Sequence, residues 1–200
     1  MCSSDLEGKW SENVILVDGD YVDKVAFNLI VNFERMLERR IPPADMARWI
    51  DCIALDGGLR TGEHHTQVVF LHSKGKVQLD NFVPAHFEKE LHNQAFQDHL
   101  GEFVINSYPV EELVTAEDFF LDILQVIGAQ KEVKRIMVIP DAEHIYNKVK
   151  DVLQRIDDEE KHITVFTMQP MAGGSFRQEI LGYSLMNALG IKGSELKTEN

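Results

Sequence analysis

Three short acidic stretches carry the residues of this chain best suited to chemistry. Asp18, Gly19 and Asp20 follow the apolar run Val14–Val17, Asp118 and Asp122 lie four residues apart in Thr115–Ile127, and Asp141 and Glu143 follow Arg135–Ile139 and Pro140. Carboxylates four apart share a helix face. Carboxylates at strand ends stand where open α/β sheets bind ligands, in the crevice outside the C-terminal ends of the strands. If the three stretches converge, their mutual repulsion calls for a cation. Oxygen donors select a hard divalent ion, Mg²⁺ or Mn²⁺, able to activate a water and to offset charge on a phosphodiester. The same residues also suit helix capping: Asp18 or Asp20 before a helix starting near Tyr21, Asp141 before one starting near Ala142, Glu143 as a first-turn anion, and Thr115 with Asp118 as a loose capping box. Convergence in space separates a site from a set of caps.

The elements that must position these residues are legible as alternating patterns. Five apolar, β-branched runs read as strands covered on both faces: Val14–Val17, Gln67–Leu71, Glu102–Ile105, Arg135–Ile139 and His162–Phe166. Helical spacing covers Tyr21–Arg39, with Val25, Leu29, Phe33, Met36 and Leu37 on one face, and Ala44–Ala54 beyond Pro42 and Pro43. Further helices are expected over Ala85–Ala95, Thr115–Ile127, Ala142–Ile156 and Ser175–Leu189. The expected fold is an α/β three-layer sandwich with a mostly parallel, about five-stranded central sheet and right-handed crossovers. With 200 residues, 44% of them hydrophobic, one domain over residues 13–191 is expected, flanked by a flexible N-terminus at 1–12 and a flexible tail at 192–200.

A formal net charge of −13 gives no long-range attraction to a polyanion, so nucleic-acid binding would rest on local geometry. Eighteen consecutive apolar residues occur nowhere, and the first residues lack a signal-peptide pattern; a soluble cytoplasmic protein with no membrane partner is expected. Arg60, in the glycine-rich loop Asp56–Gly62, could face a phosphate. Ser175 and Arg177, after Gly173 and Gly174, would suit an anion at the entry of the last helix, or form an ordinary loop and cap. His64, His65 and His72 lack the spacing of a zinc site, and His86, His92 and His99 are expected to face solvent.

In the order of its acidic motifs, over roughly Val14 to Phe166, the sequence resembles the NYN branch of the PIN-like nuclease superfamily. The stretch Val14–Val22 is similar to that family's opening strand followed by Asp-Gly-Asp-Asn, with Tyr21 in place of the Asn. Glu111–Leu124 is similar to its middle motif, in which an Asp starts the helix before the fourth strand. Val138–Ile145 is similar to its strand-end motif Gly-Asp-x-Asp-Phe, with Pro140, Glu143 and His144 replacing the Gly, the second Asp and the Phe. The resemblance implies a compact α/β sandwich around an Mg²⁺ or Mn²⁺ site whose ligands and catalytic residues are Asp18, Asp118, Asp141 and Glu143. Asp20, Tyr21, Arg60, Ser175 and Arg177 are the expected substrate contacts. The implied activity is hydrolysis of RNA phosphodiesters. The substitutions at Tyr21, Pro140 and His144 motivate the alternative, a catalytically inactive α/β binding module with a protein partner or a second copy of itself.

Overall fold

The computed structural model describes residues 9–197. Strand β1 (Asn13–Asp18) runs along the centre of the sheet with Val14 to Val17 fully buried. Helix α1 (Gly19–Leu37) follows directly, then a short strand β2 (Ala44–Asp45), helix α2 (Met46–Asp56) and β3 (His64–His72), which pairs parallel to β1 with Asp18 opposite Leu71. The next crossover contains β4 (Phe82–Val83), a π-helical turn (Phe87–Leu91) and β5 (Gln94–Asp98) before β6 (Gly101–Pro109). Helix α3 (Ala116–Gly128) carries the chain to the other side of β1, where β7 (Arg135–Ile139), α4 (Ala142–Gln154), β8 (His162–Thr167), β9 (Arg177–Ile180) and α5 (Leu181–Ala188) complete the fold.

The main sheet has seven strands in the order β5-β6-β3-β1-β7-β8-β9, with only β5 antiparallel to its neighbour. Chain order therefore reverses between β1 and β7, so their C-terminal ends border the switch-point crevice. Alternate residues of β1 serve opposite faces. Ile15 and Val17 join a core with residues of α1, α2 and α5, whereas Val14 and Leu16 join one with residues of α3 and α4. The result is an α/β three-layer sandwich, as the alternating patterns imply.

All five expected strands form; of the four added ones, β2 and β4 pair with each other in a separate two-stranded sheet, and the other two lie at the edges of the main sheet. Their sequences, Gln94–Asp98 and Arg177–Ile180, are short and polar, which suits an edge and hides the strand signal. The helix expected at Ala85–Ala95 is replaced by the π-helical turn and β5, with Asn93 at φ 62° turning the chain between them. The helix expected from Ser175 starts only at Leu181, because residues 177–180 pair with β8 first. In α1, burial stops at Ala26: Leu29, Phe33 and Leu37 only flank the core, and Met36 is 50% exposed. In the flanks expected to be flexible, Trp10 is buried against the α3/α4 layer, and Arg39 clasps Glu195 of a 3-10 turn (Gly193–Lys197). Residues 1–8 and 198–200 of those flanks lie outside the described residues.

Candidate functional site

The turn from β1 into α1 carries three carboxylates with three different tasks. Asp18 is the N-cap of α1, in extended backbone, and its Oδ1 accepts the Tyr21 amide at 3.0 Å. Asp20 accepts the Ser73 amide through both oxygens, at 3.1 and 3.3 Å, and so ties the start of α1 to the exit of β3. Asp23 is buried; it accepts the amides of Asp80 and Asn81 and the Asn81 side chain, and pairs with Lys76 Nζ at 2.7 Å. Gly19 suits this crowded turn, since a Cβ there would lie 3.1 Å from the Leu71 carbonyl oxygen and 3.3 Å from Phe87 Cζ.

Across the switch point, Asp141 follows β7 at the N-cap of α4 but makes no capping hydrogen bond. Its two oxygens instead each lie 2.9 Å from His144 Nδ1. Ile145, at φ −124° and ψ 15°, breaks the first turn of α4, so the segment 141–144 stands apart from the regular helix behind it. Asp141, Glu143 and His144 can each offer one ligand atom with all three within 4.8 Å of one another. The Asp141 carboxylate, and to a lesser extent its charge alone, raises the pKa of the exposed His144.

The two strand ends act on each other. Burial pushes the Asp18 carboxyl up to about 6; the Tyr21 amide opposes this, and the charges of Asp20 and Asp141 reinforce it. Burial also raises the Tyr21 phenol far above its ordinary value, with further contributions from Glu143, Asp141 and Asp18. Tyr21 is 4% exposed and its hydroxyl is buried with no hydrogen-bond partner among the described residues. A neutral O–H donor without a partner thus feels the charge of three carboxylates, an arrangement that a cation with a bound oxygen ligand would complete.

The remaining expected residues fall elsewhere. Asp118 is exposed on α3, where Thr115 caps its amide at 3.0 Å; its charge is felt by Lys148, which pairs with Glu117. It is absent from the groups acting on Asp18 and Tyr21, so the half-formed capping box describes it better than a ligand role. Asp122 is likewise exposed. Arg60 precedes β3, at the opposite edge of the sheet from Asp18, and donates to the carbonyls of Leu55 and Leu59. Ser175 is exposed in a loop that enters a strand, so no helix N-terminus meets it. Arg177 pairs with Glu179, at 2.9 and 3.1 Å, and feels Asp56 at the far end of α2.

Of the histidines, His64 and His65 open the nine-residue strand that His72 closes, so no zinc site joins them. His86 and His92, expected in solvent, are half-buried and line a cavity at the ends of β3 and β6. A helix over this stretch would expose them, but the π-helical turn and β5 form in its place. From the sequence, His144 stands out only as a substitution within the strand-end motif, and Asp23 does not stand out. His144 stands three residues after Asp141, a spacing at which side chains on a helix meet, and Asp23 stands three after Asp20.

The fold and crevice define a doubly wound α/β protein with an acidic site at its switch point. Residues 7–196 match the family described as "Family of unknown function (DUF6621)", and the chain belongs to that family. No curated protein and no solved structure matches the chain significantly. Among the described residues, no helix is long and apolar enough to cross a membrane.

Proposed function

We propose that the protein is a cytoplasmic, divalent-metal-dependent hydrolase of RNA phosphodiesters, related to the PIN/NYN-like nucleases, with Asp18, Asp141 and Glu143 as its carboxylate ligands. The observation that carries this reading is the convergence of those carboxylates around the buried, partnerless Tyr21 hydroxyl. The donor set fits a hard cation, Mg²⁺ or Mn²⁺, and the His144 imidazole favours Mn²⁺ of the two. Bound there, the ion supplies Lewis acidity toward water and a phosphate oxygen.

The chain's own groups have distinct tasks in this reading. Asp18 is fixed by its cap bond to the Tyr21 amide, so the carboxylate is held at the strand end without side-chain reorganisation. Tyr21 stays protonated at any working pH and donates its hydroxyl to an oxygen of the substrate or a bound water. His144 holds Asp141 by a charge-assisted hydrogen bond when protonated and competes with a metal for that carboxylate, so metal affinity rises with pH. Asp118, Arg60, Ser175 and Arg177 have no part in it.

The position of Asp118 away from the crevice favours a second reading, a catalytically inactive binding module in which protonated His144 is the counter-charge paired with Asp141. Calorimetric titration with Mn²⁺ of wild type, Asp18→Asn and Asp141→Asn, followed by assay of a single-stranded RNA with Mn²⁺, decides between them. Saturable binding lost in both variants, with cleavage lost alongside, supports the hydrolase. Metal binding without cleavage supports the binding module, and an absence of metal binding in wild type refutes the metal site.

A further inference from the structure

We propose that the cavity at the C-terminal ends of β3 and β6 binds a small monocarboxylic acid with an apolar body. The cavity has a volume of about 330 Å³, which lies within the usual range for small-molecule pockets. His72 and Pro109, paired at the ends of the two strands, form one side. Phe87, stacked on His72 with ring centroids 3.9 Å apart and planes 4° from parallel, forms the base, and Val77 and Pro109 extend the apolar lining.

Two histidines supply the polar recognition, and the backbone fixes their tautomers. His86 Nδ1 accepts the Lys89 amide at 3.2 Å, and His92 Nδ1 accepts the Ser107 amide at 2.9 Å. A ring nitrogen that accepts a backbone N–H carries no proton, so in each neutral imidazole the proton sits on Nε2. Among the described residues, neither Nε2 meets a hydrogen-bond partner. Both residues line the cavity, and with each Nδ1 turned to the backbone the Nε2–H groups are the imidazole donors left for a ligand, which calls for oxygen acceptors.

The same tautomers argue against a metal, which needs the Nε2 lone pair that the proton occupies. Charge selects among oxygen ligands. Lys74 at the lining is engaged by Glu112 at 2.7 Å, and Glu88 adds a negative charge. A phosphate dianion would lie beside Glu88, and among the described residues lining the cavity the one cation, Lys74, is already paired with Glu112. A carboxylate, with a single charge and two acceptor oxygens, matches the two donors, and its apolar remainder matches Phe87, Val77 and Pro109. The cavity lies on the β3 side of the Asp18–Asp20 turn and uses none of the residues proposed to hold a metal, so this inference stands independently of the hydrolase reading.

The test uses the full chain, ¹⁵N-labelled, with benzoate and hexanoate as aromatic and aliphatic probes and inorganic phosphate as the competing chemistry. Long-range ¹H–¹⁵N correlation is expected to show His86 and His92 as Nε2–H tautomers. One or both acids shift these resonances saturably, and phosphate does not. The variants His86→Asn and His92→Asn each place a side-chain acceptor near the former Nδ1, so the Lys89 and Ser107 amides keep a partner while the Nε2–H donor is lost. Each is expected to weaken acid binding about tenfold, the scale of one hydrogen bond to a charged acceptor, with the unfolding midpoint unchanged. Nδ1–H tautomers, no saturable shift with either acid in wild type, saturation by phosphate in their place, or undiminished binding by both variants would each overturn the proposal.

Discussion

Replacing Asp18 by Asn separates the cap from the charge. Asparagine caps helices as well as aspartate, so the bond to the Tyr21 amide survives the change. What disappears is a carboxylate that burial and the neighbouring Asp20 and Asp141 hold at a pKa of about 6, above its ordinary 3.8. An acid whose folded pKa is raised gives up its proton more readily when the chain unfolds. Its contribution to stability is full below about pH 4 and falls as pH rises through 6. At about 1.4 kcal/mol per pKa unit, the raised pKa of Asp18 costs the metal-free wild type about 3 kcal/mol near pH 7.5, and about 1 kcal/mol near pH 4.5, where the unfolded chain ionises and the folded one does not. Asp18→Asn is therefore expected to be more stable than wild type by those amounts, measured by urea unfolding at the two pH values without metal. Mn²⁺ at about a hundred times its Kd should then stabilise wild type by about 2.7 kcal/mol and the variant hardly at all. A variant less stable than wild type at pH 7.5 without metal would refute the reasoning, because the carboxylate would then be a stabilising cap rather than a strained ligand. Equal stabilisation of both proteins by Mn²⁺ would place the metal elsewhere.

Other perturbations test separate parts of the structure. Asp51 of α2 is held up to about 7, chiefly by burial and then by a proton shared with Asp98 of β5, so its contribution to stability is present at low pH and lost as pH rises from about 4 through 7. Asp51→Asn should flatten that slope and stabilise the protein by about 1–2 kcal/mol near pH 8, after allowance for solvent screening, as read from denaturant midpoints across the range; an unchanged slope would count against the shared proton. Asp23→Ala removes the acceptor of two amides and a side-chain amide together with the Lys76 ion pair, so a loss of about 3 kcal/mol or more is expected in urea unfolding. Tyr21→Phe deletes a buried hydroxyl with no partner and should stabilise the metal-free protein by about 1 kcal/mol while lowering RNA turnover more than Mn²⁺ affinity; a destabilised Tyr21→Phe would mean that the hydroxyl has a partner in solution.

The sheet was legible because its central strands break no local rule. Val14–Val17 and Arg135–Ile139 are short, apolar and β-branched, and both become buried parallel strands with their carboxylates at the crevice end. Legibility ended at the edges, where β5 and β9 are polar and resemble the ends of helices. For the site, the sequence brought forward Asp18, Asp141 and Glu143, which all act on Tyr21, and also Asp118, which does not join them. A residue four from its neighbour on a helix shares that neighbour's face wherever the helix lies, so spacing alone could not say that α3 begins away from the switch point. His144 and the tautomers of His86 and His92 depend on contacts made only after folding.

Thr115 and Asp18 satisfy their helix termini as their residue types lead one to expect. Asp141, of the same type and in the same kind of position, leaves its helix uncapped, and the first turn behind it is broken at Ile145. Asp18 is a carboxylate in a place that favours the protonated form, and Tyr21 is a buried donor without an acceptor. Each departure lowers stability, and any one of them could be an accident of a single side chain. All of them lie within one crevice, contributed by two strands far apart in the chain, at the point where the strand order reverses. Substitutions that relieve such strain without harming the fold are easy to reach, for example Asn at 18 or Phe at 21, so a sequence under selection for stability alone would not be expected to retain every departure together. A ligand that accepts from Tyr21 and neutralises Asp18, Asp141 and Glu143 satisfies all these groups at once, which is the physical argument for looking for it there.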